Sequence, residues 1–104
     1  MQTTIFMGDS RKRIRDFPEA ARRDMGRQLL RVQLGLDPQD FKPMPTVGAG
    51  VREVRVHTGE EFRAFYVANV GNALYVLHAF HKKTQKTSQK DIDLGRQRFK
   101  QIGE

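Results

Sequence analysis

A chain of 104 residues has room for one modest core, burying about 60–65% of the surface its unfolded form exposes. Nineteen Lys and Arg against twelve Asp and Glu give a formal net charge of +7, an excess that attracts RNA, DNA or an acidic protein without choosing among them. Cysteine is absent, which excludes disulfides and thiolate metal sites. MQTTIFMGDSRKR lacks an apolar run of signal-peptide length and no stretch is apolar enough to span a bilayer, so a cytoplasmic location without a membrane partner is expected.

Residues 3–7 (TTIFM) read as a first strand, closed by the turn pair Gly8-Asp9. Asp9 or Ser10 can cap a short basic helix whose Ile14 and Phe17 share a face, and Pro18 stops it. Pro18-Glu19 then opens a longer helix, because proline needs no N–H partner there and an acid suits the positive helix end. Ala21, Met25, Leu29 and Val32 form its core stripe, Arg22, Arg23, Arg27 and Arg31 occupy much of the remainder, and Gly35 ends it.

Residues 37–50 (DPQDFKPMPTVGAG) hold three of the four prolines and are expected to be a loop, packed by Phe41, Met44 and Val47. Residues 51–57 (VREVRVH) alternate, with Val54 and Val56 on one face and Glu53, Arg55 and His57 on the other. After a turn at Thr58-Gly59-Glu60, residues 61–70 and 73–80 read as two further strands joined by Gly71-Asn72, an antiparallel meander. A lysine-rich exit leads to Ser88 and Asp91, the spacing of a capping box, and to a last helix with Ile92, Phe99 and Ile102 on its apolar face. Gly95 on that face suits close approach to the sheet. The order β-α-α-β-β-β-α accounts for residues 1–104 as one α+β domain.

If helices cover Val54 and Val56, the face bearing Glu53 and Arg55 is open. Arg63 lies in a strand that otherwise reads as half-buried. Alone, each arginine is most often a solvated or ion-paired strand residue; together they weigh more. Lys82, Lys83, Lys86 and Lys90 are most simply a solvated cationic surface, although they can also hold phosphates, with Phe65, Tyr66, Tyr75 and Phe80 as rings able to stack a base. His78 and His81, three apart on a strand, point to opposite faces and make a poor metal clamp, so no metal is expected. Among His57, His78 and His81, the last is the preferred acid–base residue, lying beside Lys82 and Lys83. No Gly-rich phosphate loop, Ser-His-Asp set or two-carboxylate hydrolase pair is visible.

The segments FPEAAR, QLLRVQLGL, DFKPMPTVGAGVREVRV, FRAFYV and above all LHAFHKKTQKTSQKDIDLGRQR resemble the phage-derived Gp49-like (HigB-type) group of the RelE/ParE superfamily of type II toxin–antitoxin toxins. The resemblance implies a RelE-like domain, an antiparallel sheet with helices packed on one face. It also implies a ribosome-dependent, metal-independent endoribonuclease without cofactor, cutting mRNA on the ribosome by attack of a ribose 2′-hydroxyl, and neutralised by a helix-turn-helix antitoxin.

Carried over by motif, Arg55 matches the basic residue of the E-x-R strand and Arg63 the phosphate contact of the F/Y-R-x-x-Y strand. His81, Lys82 and Lys83 match the basic exit, with His81 or Lys82 as proton donor and Lys83 electrostatic. Arg52, Tyr66, Lys86 and Lys90 are outer RNA contacts. The last helix departs from the RelE pattern: Phe99 has no hydroxyl where a catalytic tyrosine is expected, which leaves the general base open, with His57 one choice. The same resemblance allows a ParE-type inhibitor of DNA gyrase, or a basic RNA-binding module without catalysis.

Overall fold

Period-two alternation in the C-terminal half becomes the centre of a five-stranded sheet in the computed structural model, which describes residues 1–103. Strands β1 (Thr3–Phe6), β2 (Phe41–Pro43), β3 (Arg52–His57), β4 (Glu61–Val70) and β5 (Ala73–Lys82) lie in the order β1-β5-β4-β3-β2. Helices α1 (Ser10–Arg15) and α2 (Glu19–Gln33) follow β1, and α3 (Gln89–Gln101) follows β5. The α+β class is as expected, with two differences in the sheet. It is mixed, because β1 pairs parallel with β5 while every other pair is antiparallel. It also has an extra strand, since part of the proline-rich loop pairs with β3, Pro43 opposite Arg52; a proline is tolerated there because β2 is an edge.

The expectation of helices on one face is corrected. On one side, Ile14 and Phe17 near α1 and the α2 stripe Ala21, Met25, Leu29 and Val32 pack on Val54, Val56, Phe62, Ala64 and Tyr66. On the other, Ile92, Phe99 and Ile102 join Met44 and Val47 of the loop over Phe65, Val67, Leu77 and Phe80. The cause is in β4: Phe62, Ala64 and Tyr66 alternate with Phe65 and Val67, so both faces of its middle are apolar and both must be covered. Gly95 makes the second layer possible, since a Cβ there would lie 2.8 Å from the Phe65 ring and 3.0 Å from Val47.

Helix ends depart in one respect from expectation. Asp9 makes no side-chain cap bond to α1; its carboxylate accepts instead from Arg13 Nε and Arg98 Nη2, both at 2.9 Å, and these cations, Arg13 first, lower its pKa from 3.8 to about 2. Ser10 is buried and donates to the Val76 carbonyl. Gly35 ends α2 in the left-handed region, with φ 84°, and the Leu36 N–H reaches back to the Arg31 carbonyl. No helix among the described residues is long and apolar enough to cross a membrane.

Candidate cationic site on the α3 face of the sheet

Antiparallel register sets the geometry. The β3–β4 pairing places Arg55 directly opposite Arg63 and His57 opposite Glu61, and the β4–β5 pairing places Glu61 opposite Lys82. Residues opposite one another share a face, so Arg55, Arg63 and Lys82 are brought together, with Glu53, His57 and Glu61 beside them. This is the side that α3 covers.

That face is not open. Arg63 is 5% exposed and Glu53 1%. Two arginines directly opposed repel, and the carboxylates offset this. Arg63 Nη2 donates to Glu61 Oε1 at 2.9 Å and Nη1 to the Phe62 carbonyl at 3.2 Å. Its Nε lies 3.5 Å from Glu53 Oε1, close enough for ion pairing, yet is buried without a hydrogen bond among the described residues. Glu53 accepts from Arg55 Nε at 3.3 Å and from Thr87 Oγ1 at 3.1 Å. Arg55 stays partly in solvent, its side chain 28% exposed. Glu53, sitting between the two guanidiniums, is the residue that sequence reasoning missed. Its place on the Arg55 face was visible, but nothing in the sequence marks it as buried.

At the outer end of this face His57 is held from both sides. Nδ1 lies 2.7 and 2.9 Å from the Glu61 oxygens and Nε2 lies 2.6 Å from Asp40. Carboxylates at both nitrogens favour two N–H donors, hence the imidazolium, and the pKa is raised, by Asp40 first and then Glu61. Glu61 is lowered in turn, by His57 first and then Arg63. A histidine held this way stores a proton, so it suits a general acid better than the general base considered above.

The basic exit is divided by strand alternation. β5 runs to Lys82, so His81 pairs with Phe62 and faces the α1–α2 side. Its ring stacks on Phe62 at 4.6 Å and its Nε2 lies 3.2 Å from Glu60. Lys82 takes the opposite side, with Arg63. Lys83, Lys86 and Lys90 are exposed beyond the strand, and a small pocket of about 150 Å³ between Lys82, Lys83, Ser88 and Asp91 marks the exit.

Arg52 and Tyr66 do not join the site. They pair across β3 and β4 on the α2 side, in a pocket of about 190 Å³ with Asp37 and Asn69. Arg52 stacks over Phe41 at 4.5 Å and binds Asp37 at 2.8 Å. Its pKa is raised, by the facing Tyr66 hydroxyl first. Phe65, Tyr66 and Phe80 are all buried, so they serve as core and not as platforms for bases.

A second polar network fixes α3 and the exit loop. His78 is fully buried, and burial outweighs Asp91 in lowering its pKa. In the neutral ring Nε2–H donates to Asp91 at 2.7 Å, while Nδ1 lies 3.4 Å from Arg98 Nη1. Arg98 also donates to the Leu77 carbonyl and to Asp9, tying α3 to β5 and to the start of α1. Ser88 Oγ caps α3, accepting from the Asp91 N–H and donating to its carboxylate. With α3 so held, Thr87 reaches Glu53.

The arrangement sets two guanidiniums, an ammonium and a histidine along one face with Glu53, Glu61 and Asp40 among them, and leaves Arg55 and Lys82 as its partly exposed cations, groups of the kind that bind phosphate. Among the described residues no group of three or more His, Asp or Glu is placed to hold a metal. Comparison with curated proteins gave no match. The family described as "Phage derived protein Gp49-like (DUF891)" matches residues 12–100, a span that includes β2 to β5, nearly all of α3 and every residue of the Arg55–Arg63 face. The chain therefore belongs to the Gp49-like family, a phage-derived module commonly related to toxin–antitoxin systems.

Proposed function

We propose that the protein is the toxin of a type II toxin–antitoxin pair, a ribosome-dependent endoribonuclease that cuts mRNA in the cytoplasm without a metal and is neutralised by a helix-turn-helix antitoxin. The observation that carries this reading is the cross-strand pair of Arg55 and Arg63, held by Glu53 and Glu61 on the same face as Lys82. Cleavage by a ribose 2′-hydroxyl needs the phosphate held in line and its extra negative charge stabilised, and fixed guanidiniums supply both without reorganising at the moment of reaction. Arg63 is the rigid member, Arg55 the one open to a phosphate, and Lys82 adds charge. His57 replaces His81 as the favoured proton donor to the leaving 5′-oxygen, because it lies on the Arg55 face and holds its proton. Lys83, Lys86 and Lys90 follow the RNA backbone.

The neutralised state of Arg63 favours one second reading, a basic module that binds RNA or acts on gyrase without cutting. Expression of the chain alone, with transcript ends mapped, separates the two. The expected result is growth arrest with mRNA cut inside ribosome-bound reading frames; intact transcripts together with inhibited gyrase overturn the nuclease reading.

A further inference from the structure

The outer side of α2 and the turn after it have no use in the site above, yet they carry several exposed leucines. Leu30, Leu34 and Leu36 are 46%, 57% and 52% exposed. Two grooves flank Leu30. One, of about 430 Å³, runs between α2, α1 and β1 over Phe6, Ile14 and Leu29, rimmed by Arg11, Arg15 and Arg22. The other, of about 380 Å³, lies over Leu34 and Leu36, rimmed by Arg27 and Arg31. Among the described residues no Asp or Glu lines either groove. The ion pairs of α1 and α2 belong to Lys12, Arg13, Arg23 and Arg27, so among the described residues Arg11, Arg15 and Arg22 have no carboxylate partner.

An independent feature lies on the floor of the first groove. Gly26 stands in the interior of α2 and is exposed, and a Cβ there would meet nothing within 4 Å. Glycine weakens a helix relative to alanine, and packing within this chain does not require it. It does allow a second backbone to approach closely.

We propose that this face docks an acidic amphipathic helix of a partner protein. Its apolar residues, spaced three and four apart, seat in the grooves on either side of Leu30, its backbone crosses Gly26, and its flanking glutamates meet the arginine rim. Single-stranded RNA would match the arginines but leave the leucines unmatched. A second copy related by a two-fold axis would set one arginine rim against another. The inference builds on the reading of a toxin held by a partner, and supplies the partner's docking chemistry. It uses no residue of the Arg55–Arg63 face.

The test is fluorescence anisotropy of a labelled synthetic helix of about 20 residues, leucines on one stripe and glutamates elsewhere, titrated with the full chain. A scrambled peptide of the same composition and a single-stranded RNA serve as controls. The amphipathic peptide should bind more tightly than the scrambled one, and Gly26→Phe and Leu30→Glu should each weaken it by roughly tenfold or more. Gly26→Ala should raise the Tm and yet bind the peptide more weakly than the parent, which shows that the glycine serves the groove and not the fold. Equal binding of the scrambled peptide, unchanged binding in both blocking variants, an RNA whose affinity falls in their place, or a dimer dissociated by Leu30→Glu would each overturn the proposal. Growth arrest by Leu30→Glu should match the parent, so failure of the nuclease reading appears in arrest and failure of docking in peptide affinity.

Discussion

The two faces of the sheet are covered by helices and yet are built on different physics. On the α1–α2 face the buried side chains are almost all apolar, from Met25 and Leu29 to Val54 and Ala64. The α3 face mixes an apolar half, around Phe65 and Leu77, with a polar half in which Glu53 and Arg63 are buried against each other and His78 against Asp91. The first kind of surface holds a fold by area removed from water. The second holds geometry, because each buried charge is satisfied only in one arrangement.

The largest effect should come from the apolar face. Met25→Ala, at a site with no exposure, should cost roughly 2–5 kcal/mol by leaving a cavity. Urea unfolding should show it as a lower midpoint with unchanged slope, and a loss well below 1 kcal/mol would mean that this face is loosely packed. On the charged face Glu53→Gln should cost about 3 kcal/mol, the low end for breaking a buried pair, because Arg63 keeps Glu61 while the opposed arginines lose the carboxylate between them. If Glu53→Gln is neutral, the arginines do not depend on Glu53 for their position.

Arg63→Ala should separate structure from activity. Glu53 would retain Arg55 and Thr87, and Glu61 would retain His57, so the variant should keep its circular dichroism while losing growth arrest. Full arrest by a folded Arg63→Ala chain would remove the site from this face.

His57 and His78 sit on the same face with opposite pH behaviour. The folded pKa of His57 is raised above 6.5, so its contribution is complete below 6.5 and fades as pH rises through the folded value. The folded pKa of His78 is lowered, so its unprotonated, buried form stabilises above 6.5 and that contribution fades as pH falls toward the folded value. Stability differences between the parent and His57→Gln should therefore shrink with rising pH, and those for His78→Gln with falling pH. His57 is half exposed, which keeps its effect small. Parallel trends for the two variants would show that one of these assignments of charge is wrong.

Much of this contrast was legible in the sequence. The stripe of α2 and the alternation of Val54 and Val56 carry the apolar face in their periods of 3.6 and 2. Arg55 and Arg63 were each visible as strand arginines, but it is the β3–β4 register that sets them opposite one another. The remainder depended on distant chain. β1 and β2 are edge strands whose partners, β5 and β3, no local pattern names, and the second helical layer was signalled only by the two-sided apolarity of β4. His81 falls on the α1–α2 side because β5 continues two residues past Phe80, and alternation turns it away from Arg63. Glu53 eluded prediction because a carboxylate in a strand reads as solvent-facing until its partners are in place.

The smallest predicted effect sharpens where the charged face ends. Lys86 is exposed in the exit loop, where Thr84 Oγ1 donates to its carbonyl, so its side chain has no structural role that alanine would abolish. If it contacts phosphate, Lys86→Ala should leave stability unchanged and reduce the slope of log affinity for single-stranded RNA against log salt by about 0.7, one contact's share. Arg55→Ala should reduce the slope similarly but also weaken the hold on Glu53 and so lower stability. A slope unchanged by Lys86→Ala and reduced by Arg55→Ala would confine the RNA to the sheet face and leave the loop lysines as solvated charge.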